Sequence, residues 1–428
     1  MSAALSMPTA PAPIPDPPPT PGSGCRSCGA TLQHTVVDLG MSPPRHGYLR
    51  REQLQQVEPF YPLHLRVCSS CHLVQLQQYT GGSDLNEATP GVTPSSSRAA
   101  HARKFTDKTI EELRLTPRHQ VIQIESGDGY LLQHYAAAGI PVLGIEPALA
   151  AGGAAGNRGV RSRIEFFTTR TARMLRDEGI QADLLIGRTL AQARDINDVV
   201  QGMKLLLAPR GVVTLECPHL LRMVVDQQFD MIAHERVSYF SLLALTQILA
   251  RHGLTIYDAD ELDAEDGWLR LFACHSEDPL RPITPRVDSV VARERDAGFD
   301  AVEKYAELAG RVHETKRKLL TFLISAKGSG KRIVGYGASG RANVLLNYCA
   351  IRTDLLDYTV DDDPERQGTY LPGTHIPVEA PDRLRQTAPD YVLILPGTPH
   401  RTVLPQLEYI RGWGGQCVIP LPEVRLVS

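Results

Sequence analysis

Four cysteines come in two pairs, Cys25-Arg-Ser-Cys28 and Cys68-Ser-Ser-Cys71. A Cys-x-x-Cys turn points two sulfurs at one centre. Two such turns complete a tetrahedral thiolate set, for which zinc is the default metal. Two independent redox dithiols are the competing reading, and the matched knuckles, followed by Gly29 and His72, favour zinc. A closed set of four thiolates leaves no open position for chemistry, so the metal is expected to be structural. The chain between the pairs is longer than in a minimal zinc ribbon and must form a small fold of its own.

A chain of 428 residues with 42% hydrophobic content has room for two or three globular domains. A net charge of -3 argues against a basic nucleic-acid surface. No apolar run approaches membrane-spanning length. Residues 1–24 hold eight prolines without a charged start or a continuous apolar stretch, and read as a disordered tail rather than a signal peptide. Cys217, Cys274, Cys349 and Cys417 are scattered through apolar stretches, which with the thiolate pairs points to a reducing cytoplasm.

The expected order is a tail (1–21), a zinc module (22–79), a Gly/Ser/Thr/Pro-rich linker (80–98), an α/β domain (99–285), a helical connector (286–326) and a second α/β domain (327–428). In the first α/β domain, short apolar runs at Val121–Glu125, Pro141–Ile145, Ala182–Ile186 and Gly211–Glu216 alternate with helix-like segments. That alternation predicts a parallel, doubly wound sheet. Ser126-Gly127-Asp128-Gly129 follows the first run and Glu146 ends the second. A glycine turn with an acid at the next strand end is an arrangement that binds an adenosine cofactor, the acid accepting from ribose hydroxyls. An ordinary tight strand-to-helix turn is the plainer reading.

The last hundred residues repeat the pattern. Lys331–Gly335 reads as a strand, Gly335-Tyr-Gly337-Ala-Ser-Gly340 follows, and Asp361 ends a further expected strand, Asp354–Val360, at the spacing of a dinucleotide fingerprint. The alternative is a Rossmann-like lobe that binds no dinucleotide. A third cluster, Ala233-His234-Glu235-Arg236 with Tyr239, sits downstream of Glu216-Cys-Pro-His219, and a His–Glu pair can serve acid/base work. A polar loop satisfying its own backbone is equally compatible with those residues.

These pieces in this order resemble the S-adenosylmethionine-dependent deoxysugar C-methyltransferases, which methylate C3 of nucleotide-linked 4-keto sugars. The matching text includes Val37-Asp-Leu-Gly40, Asp128-Gly-Tyr-Leu-Leu132, Gly144-Ile-Glu-Pro147, Glu216-Cys-Pro-His219, Tyr239-Phe-Ser-Leu242, Gly335-Tyr-Gly-Ala338 and Tyr370–Pro377. The resemblance covers about residues 22–428. It implies a zinc module, a class I methyltransferase-like sheet and a C-terminal Rossmann-like domain without NAD. It also implies Ser126, Gly127, Asp128, Gly129 and Glu146 as cofactor residues, and Cys25, Cys28, Cys68 and Cys71 as zinc ligands. The catalytic candidates are His219, His234, Glu235, Arg236 and Tyr239, expected with Glu216 and Trp268 to wall one cleft between the two α/β domains.

Several residues depart from the family's pattern. Glu125 stands where the cofactor turn has glycine, so S-adenosylmethionine is expected to bind weakly or not at all. The family's Tyr-His-Glu-His reads Ala233-His234-Glu235-Arg236, and Arg236 stays protonated where a base is expected. The family's His-Gly-Gly-Ser-Leu-Arg reads Glu265-Asp266-Gly267-Trp268-Leu269-Arg270, and its Asn-Asn-Val-Leu-Ala-His becomes Arg188–Gln192. The expectation is a tailoring enzyme of specialised metabolism acting on a small molecule. The alternatives are a non-methylating enzyme on the same scaffold (cyclisation, dehydration or isomerisation) and a non-catalytic partner subunit.

Overall fold

The computed structural model describes residues 24–77, 96–188, 190–262 and 267–427. The proline-rich tail, most of the expected linker, and Glu265 and Asp266 lie outside them. Three sheets occur among the described residues.

The first has four strands in the order β1 (His34–Ser42), β2 (Tyr61–Val67), β3 (Val74–Leu76) and β9 (Ser238–Tyr239). Leu63, Leu65 and Val67 alternate inward along β2, the period-two pattern of a half-buried strand. Its last strand comes from the distant 233–239 segment, with Val74 paired to Tyr239. The zinc module is therefore stitched into the rest of the chain.

The second sheet has seven strands, ordered β10 (Leu254–Leu262), β11 (Trp268–His275), β8 (Leu207–Pro218), β7 (Ala182–Gly187), β4 (Val121–Ile124), β5 (Val142–Ile145) and β6 (Ser162–Arg163). The run from β8 to β6 is parallel, as the alternation predicts, and its residues are buried almost throughout. An antiparallel pair, β10 and β11, extends it on the β8 side. The strand order reverses between β4 and β7, which places a ligand crevice beyond Ile124 and Gly187. Helix α1 (Ser96–Leu113) begins inside the expected linker and reaches this crevice.

The third sheet runs β14 (Val378–Glu379), β13 (Thr359–Val360), β12 (Ile333–Tyr336), β15 (Tyr391–Ile394), β16 (Gln416–Ile419) and β17 (Arg425–Val427), parallel except at β17. The strand expected over Asp354–Val360 shrinks to two residues. The N–H groups of Leu355 and Leu356 turn back onto Arg352 O, so that stretch enters the sheet late.

Four helices carry the rest of the argument: α2 (Leu242–Arg251), α3 (Pro285–Asp296), α4 (Val302–Gly328) and α5 (Gly340–Cys349). Along α4 the buried positions Tyr305, Leu308, Val312, Thr315, Leu319, Leu323 and Ala326 recur every three or four residues and form one apolar stripe. That stripe shares a core with Val37 and Leu65 of the zinc module and with Leu345 of α5. The zinc module and the C-terminal lobe are thus packed together rather than tethered. Among the described residues no helix is long and apolar enough to cross a membrane.

Candidate functional site

The four thiols meet at one point. Cys25 Sγ lies 3.6 Å from Cys71 Sγ, Cys28 Sγ lies 3.4 Å from Cys68 Sγ, and all four fall within 4.8 Å of one another. A zinc tetrahedron with bonds of about 2.3 Å has sulfur–sulfur edges of about 3.8 Å, so the set fits zinc and leaves no open ligand position. Gln75 Nε2 donates to Cys25 Sγ at 3.2 Å and the Ser70 N–H to Cys68 Sγ at 3.4 Å, outer contacts that orient the thiolates. Asn197 of the central domain donates to Arg26 O and Ser27 O, tying the first knuckle down.

At the crevice, the turn after β4 is built from left-handed residues: φ is +51° at Glu125, +56° at Gly127 and +74° at Gly129. Glycine adopts such angles freely, whereas Glu125 does so under strain. Ser126 is buried against Gly144, where a Cβ would meet its Oγ at 2.3 Å. Glu146 accepts from Gly127 N at 2.7 Å and Ala148 N at 2.9 Å. A carboxylate has about four acceptor sites, so two remain for ribose hydroxyls. Asp128 pairs with Arg158 at 2.9 Å.

The other side of the crevice is filled by the chain itself. Arg270 Nε donates to Glu216 Oε1 at 2.6 Å, Arg188 Nε lies 3.2 Å from Glu216 Oε2, and Arg188 also donates to Tyr130 Oη at 2.8 Å. Arg270 contacts His101 Nε2 at 2.9 Å and stacks over Phe105, while Arg188 stacks over Trp268. Burial raises the Glu216 pKa, but the hydrogen bond to His101 and the charges of Arg270 and Arg188 outweigh it and hold the carboxyl near 2. Among these side chains a cavity of about 10 Å³ remains, room for one water. The ribose end of the crevice thus suits S-adenosylmethionine, but the filled end and Glu125 do not, and the residues as placed do not fit the whole cofactor.

The expected single cleft wall is divided. Glu216 lines the crevice, and Trp268 stacks with Arg188, which also lines it. His219 is fully buried, 2.7 Å from Glu294 Oε1 and 3.5 Å from Glu261 Oε1. Tyr239 is also buried, its hydroxyl accepting from Ala233 N at 2.9 Å. Arg236 donates to Met231 O at 3.2 Å. His234 and Glu235 face the zinc module: His234 Nε2 donates to Tyr61 O at 3.1 Å, and Glu235 is ion-paired with Arg45. His234, Glu235, Arg236 and Tyr239 thus stay near enough to feel one another's charge, whereas His219 is sealed with Glu294 and Glu261, and the 233–239 segment runs into the zinc-module sheet as β9 instead of lying open.

The C-terminal glycine turn has its own partners. Asp361 accepts from Ala338 N at 2.6 Å, and Tyr48 Oη of the zinc module donates to Ala338 O. A Cβ on Gly340 would come within 2.8 Å of both Arg45 Cδ and His46 Cε1, and one on Gly337 within 2.0 Å of Thr398 Oγ1. Arg45, His46 and Glu294 were not singled out in the sequence, and His101 reads there as an isolated surface or core histidine. Each is remote from the motif it serves, and no local pattern marks it.

Comparison with known proteins adds the following. Three family models match in chain order: a zinc binding domain at residues 25–85, a methyltransferase domain at 98–259, and a C-methyltransferase C-terminal domain at 263–422. The C-methyltransferase NovU of Streptomyces niveus is 30% identical over 406 residues, covering 94% of this chain and 96% of NovU. Among solved structures, magnesium protoporphyrin IX methyltransferase of Synechocystis with bound S-adenosylmethionine is 15% identical at a TM-score of 0.32, covering 42% of this chain and 82% of its own. The CcbJ methyltransferase of Streptomyces caelestis is 12% identical at a TM-score of 0.34, covering 45% and 95%.

Proposed function

The chain belongs to the C-methyltransferase family, and we propose that it is a small-molecule tailoring enzyme of specialised metabolism that moves a proton beside a carbonyl without the family's base. The observation that carries this reading is Arg236. It occupies the base position as a fixed cation, half-buried beside Tyr239 and donating to Met231 O. A guanidinium can stabilise an enolate or a carboxylate but takes no proton. Glu235, retained from the family's motif, is held below the usual carboxylate range: burial raises its pKa, and the charge of Arg45, a backbone hydrogen bond, His46 and Arg236 together outweigh that. The natural first substrates to try are the nucleotide-linked 4-keto sugars that the resemblance implies. The setting is the cytoplasm, with a diffusible substrate and neither nucleic acid nor membrane as partner.

A second reading, methyl transfer from S-adenosylmethionine, is favoured by one feature: Glu146 stands pre-set by Gly127 and Ala148 with acceptor sites to spare. Calorimetry and mass spectrometry separate the two. Incubation with a thymidine diphosphate-linked 4-keto-6-deoxy sugar and S-adenosylmethionine is expected to give no gain of a methyl group. Stoichiometric cofactor binding with a methylated product would replace the first reading by the second.

A further inference from the structure

The third glycine of the C-terminal turn has a use that no dinucleotide requires. The segment Pro43-Pro44-Arg45-His46-Gly47-Tyr48 leaves the zinc module and lies across the start of α5, anchored where Tyr48 donates to Ala338 O. Arg45 and His46 press so closely on Gly340 that any side chain there would displace them. The same two residues meet Glu235 on their other side: Arg45 is ion-paired with it, and His46 Nε2 lies 3.7 Å from its Oε1. Three distant stretches (the zinc module, the 233–239 segment and the C-terminal turn) thus converge on one imidazole and one carboxylate.

Other groups near the family's catalytic segment are poorly placed to take a proton from a ligand. His234 is spent on Tyr61 O, His219 is sealed between two glutamates, the Tyr239 hydroxyl is buried, and Arg236 is a permanent cation. The His46 side chain is 53% exposed beside a carboxylate that is 22% exposed. At 3.7 Å the two stand just beyond hydrogen-bond reach, the looser spacing that a base and its orienting acid often show before a ligand binds. The groups facing His46 are Arg45, Glu235 and Arg366. Burial and then Arg45 lower its pKa from 6.5, with Arg366 adding to this and Glu235 opposing it, so the ring is neutral and ready to accept near neutral pH.

We propose that His46, reaching from the zinc module, is the proton acceptor of this chain, that Glu235 orients it, and that Gly340 is glycine because it must admit both Arg45 and His46. This rests on the proton-transfer reading above. In the step, a C–H bond next to the substrate's carbonyl breaks and an N–H bond forms on the imidazole. The electron pair moves to the carbonyl oxygen as an enolate. Return of the proton to the same carbon restores the ketone, and in deuterium oxide it returns as deuterium.

The probe is a thymidine diphosphate-linked 4-keto-6-deoxy sugar in deuterium oxide, with loss of the C3 proton followed by NMR and binding followed by calorimetry. The full-length protein is expected to bind the sugar and exchange its proton. His46→Ala is expected to slow exchange at least 100-fold, the lower end for a lost general base, with added imidazole restoring it. Gly340→Ala should slow exchange while leaving sugar affinity within a few-fold. The wild-type rate should rise with pH through a midpoint below 6.5 and then level off. Binding with exchange that is undiminished in His46→Ala overturns the proposal and leaves the functional reading standing, as does, where this sugar binds without exchange, turnover of another ketone that is undiminished in His46→Ala. No binding and no turnover of any keto sugar removes both.

Discussion

Glu294, on α3, is a carboxylate of zero exposure that serves three donors from two other segments. His219 Nε2 lies 2.7 Å away, and the backbone N–H groups of Leu242 and Leu243 lie at 2.7 and 2.8 Å. His219 follows Glu216 at the end of β8, and Leu242 opens α2 directly after the 233–239 segment, so one side chain clamps both stretches that carry the candidate site. Glu294→Ala strands two neutral donors, at about 1 kcal/mol each, and one charged donor at about 2 kcal/mol. The sum of about 4 kcal/mol agrees with the cost of breaking a buried ion pair. For a unit of 150–250 residues, about 2–4 °C of melting temperature per kcal/mol gives a drop of about 8–16 °C, read by scanning fluorimetry at pH 6. The pH dependence supplies a second arm. Burial lowers the His219 pKa, but the hydrogen bonds to Glu261 and Glu294 outweigh it and raise it above 6.5. A raised histidine contributes stability that is complete below 6.5 and is lost as pH rises through its folded value. Glu294→Gln should therefore flatten the decline in melting temperature between neutral and alkaline pH. A Glu294→Ala protein that melts within about 2 °C of the parent would refute the clamp.

The protein as purified should contain one zinc per chain by elemental analysis, and Cys68→Ser should lose both the metal and soluble expression; zinc-free, folded protein would exclude a structural metal. Glu125→Gly relieves a left-handed non-glycine residue, stabilising the turn by about 1 kcal/mol, and should tighten S-adenosylmethionine binding measured by calorimetry. Tight, stoichiometric binding by the unaltered chain would contradict this. NAD is expected to show no saturable binding, because Arg45 and His46 press on Gly340 and Asp361 is engaged by Ala338 N and Arg366; saturable binding abolished by Asp361→Ala would overturn that view.

The two Cys-x-x-Cys turns, the alternating strands and helices, and the apolar stripe through Val312 and Leu319 were legible in the sequence, because each is set by spacing over a few residues. The glycine turns were legible as turns for the same reason: left-handed backbone at Gly127 and Gly129 restricts residue type locally. Their occupants were not. That Arg45 and His46 rest on Gly340, that Glu216 is clamped by Arg188 and Arg270, and that Glu294 joins His219 to α2 are contacts between residues far apart in the chain. Neither partner carries a local signature of them. The surroundings of the 233–239 segment were hidden for the same reason: Ser238 and Tyr239 look like part of an active-site loop until β3 of the zinc module is seen to pair with them. Local sequence determines which way a backbone turns and which face is apolar. Which charged side chains then share a buried space depends on how the three sheets pack against one another, and only the tertiary structure decides it.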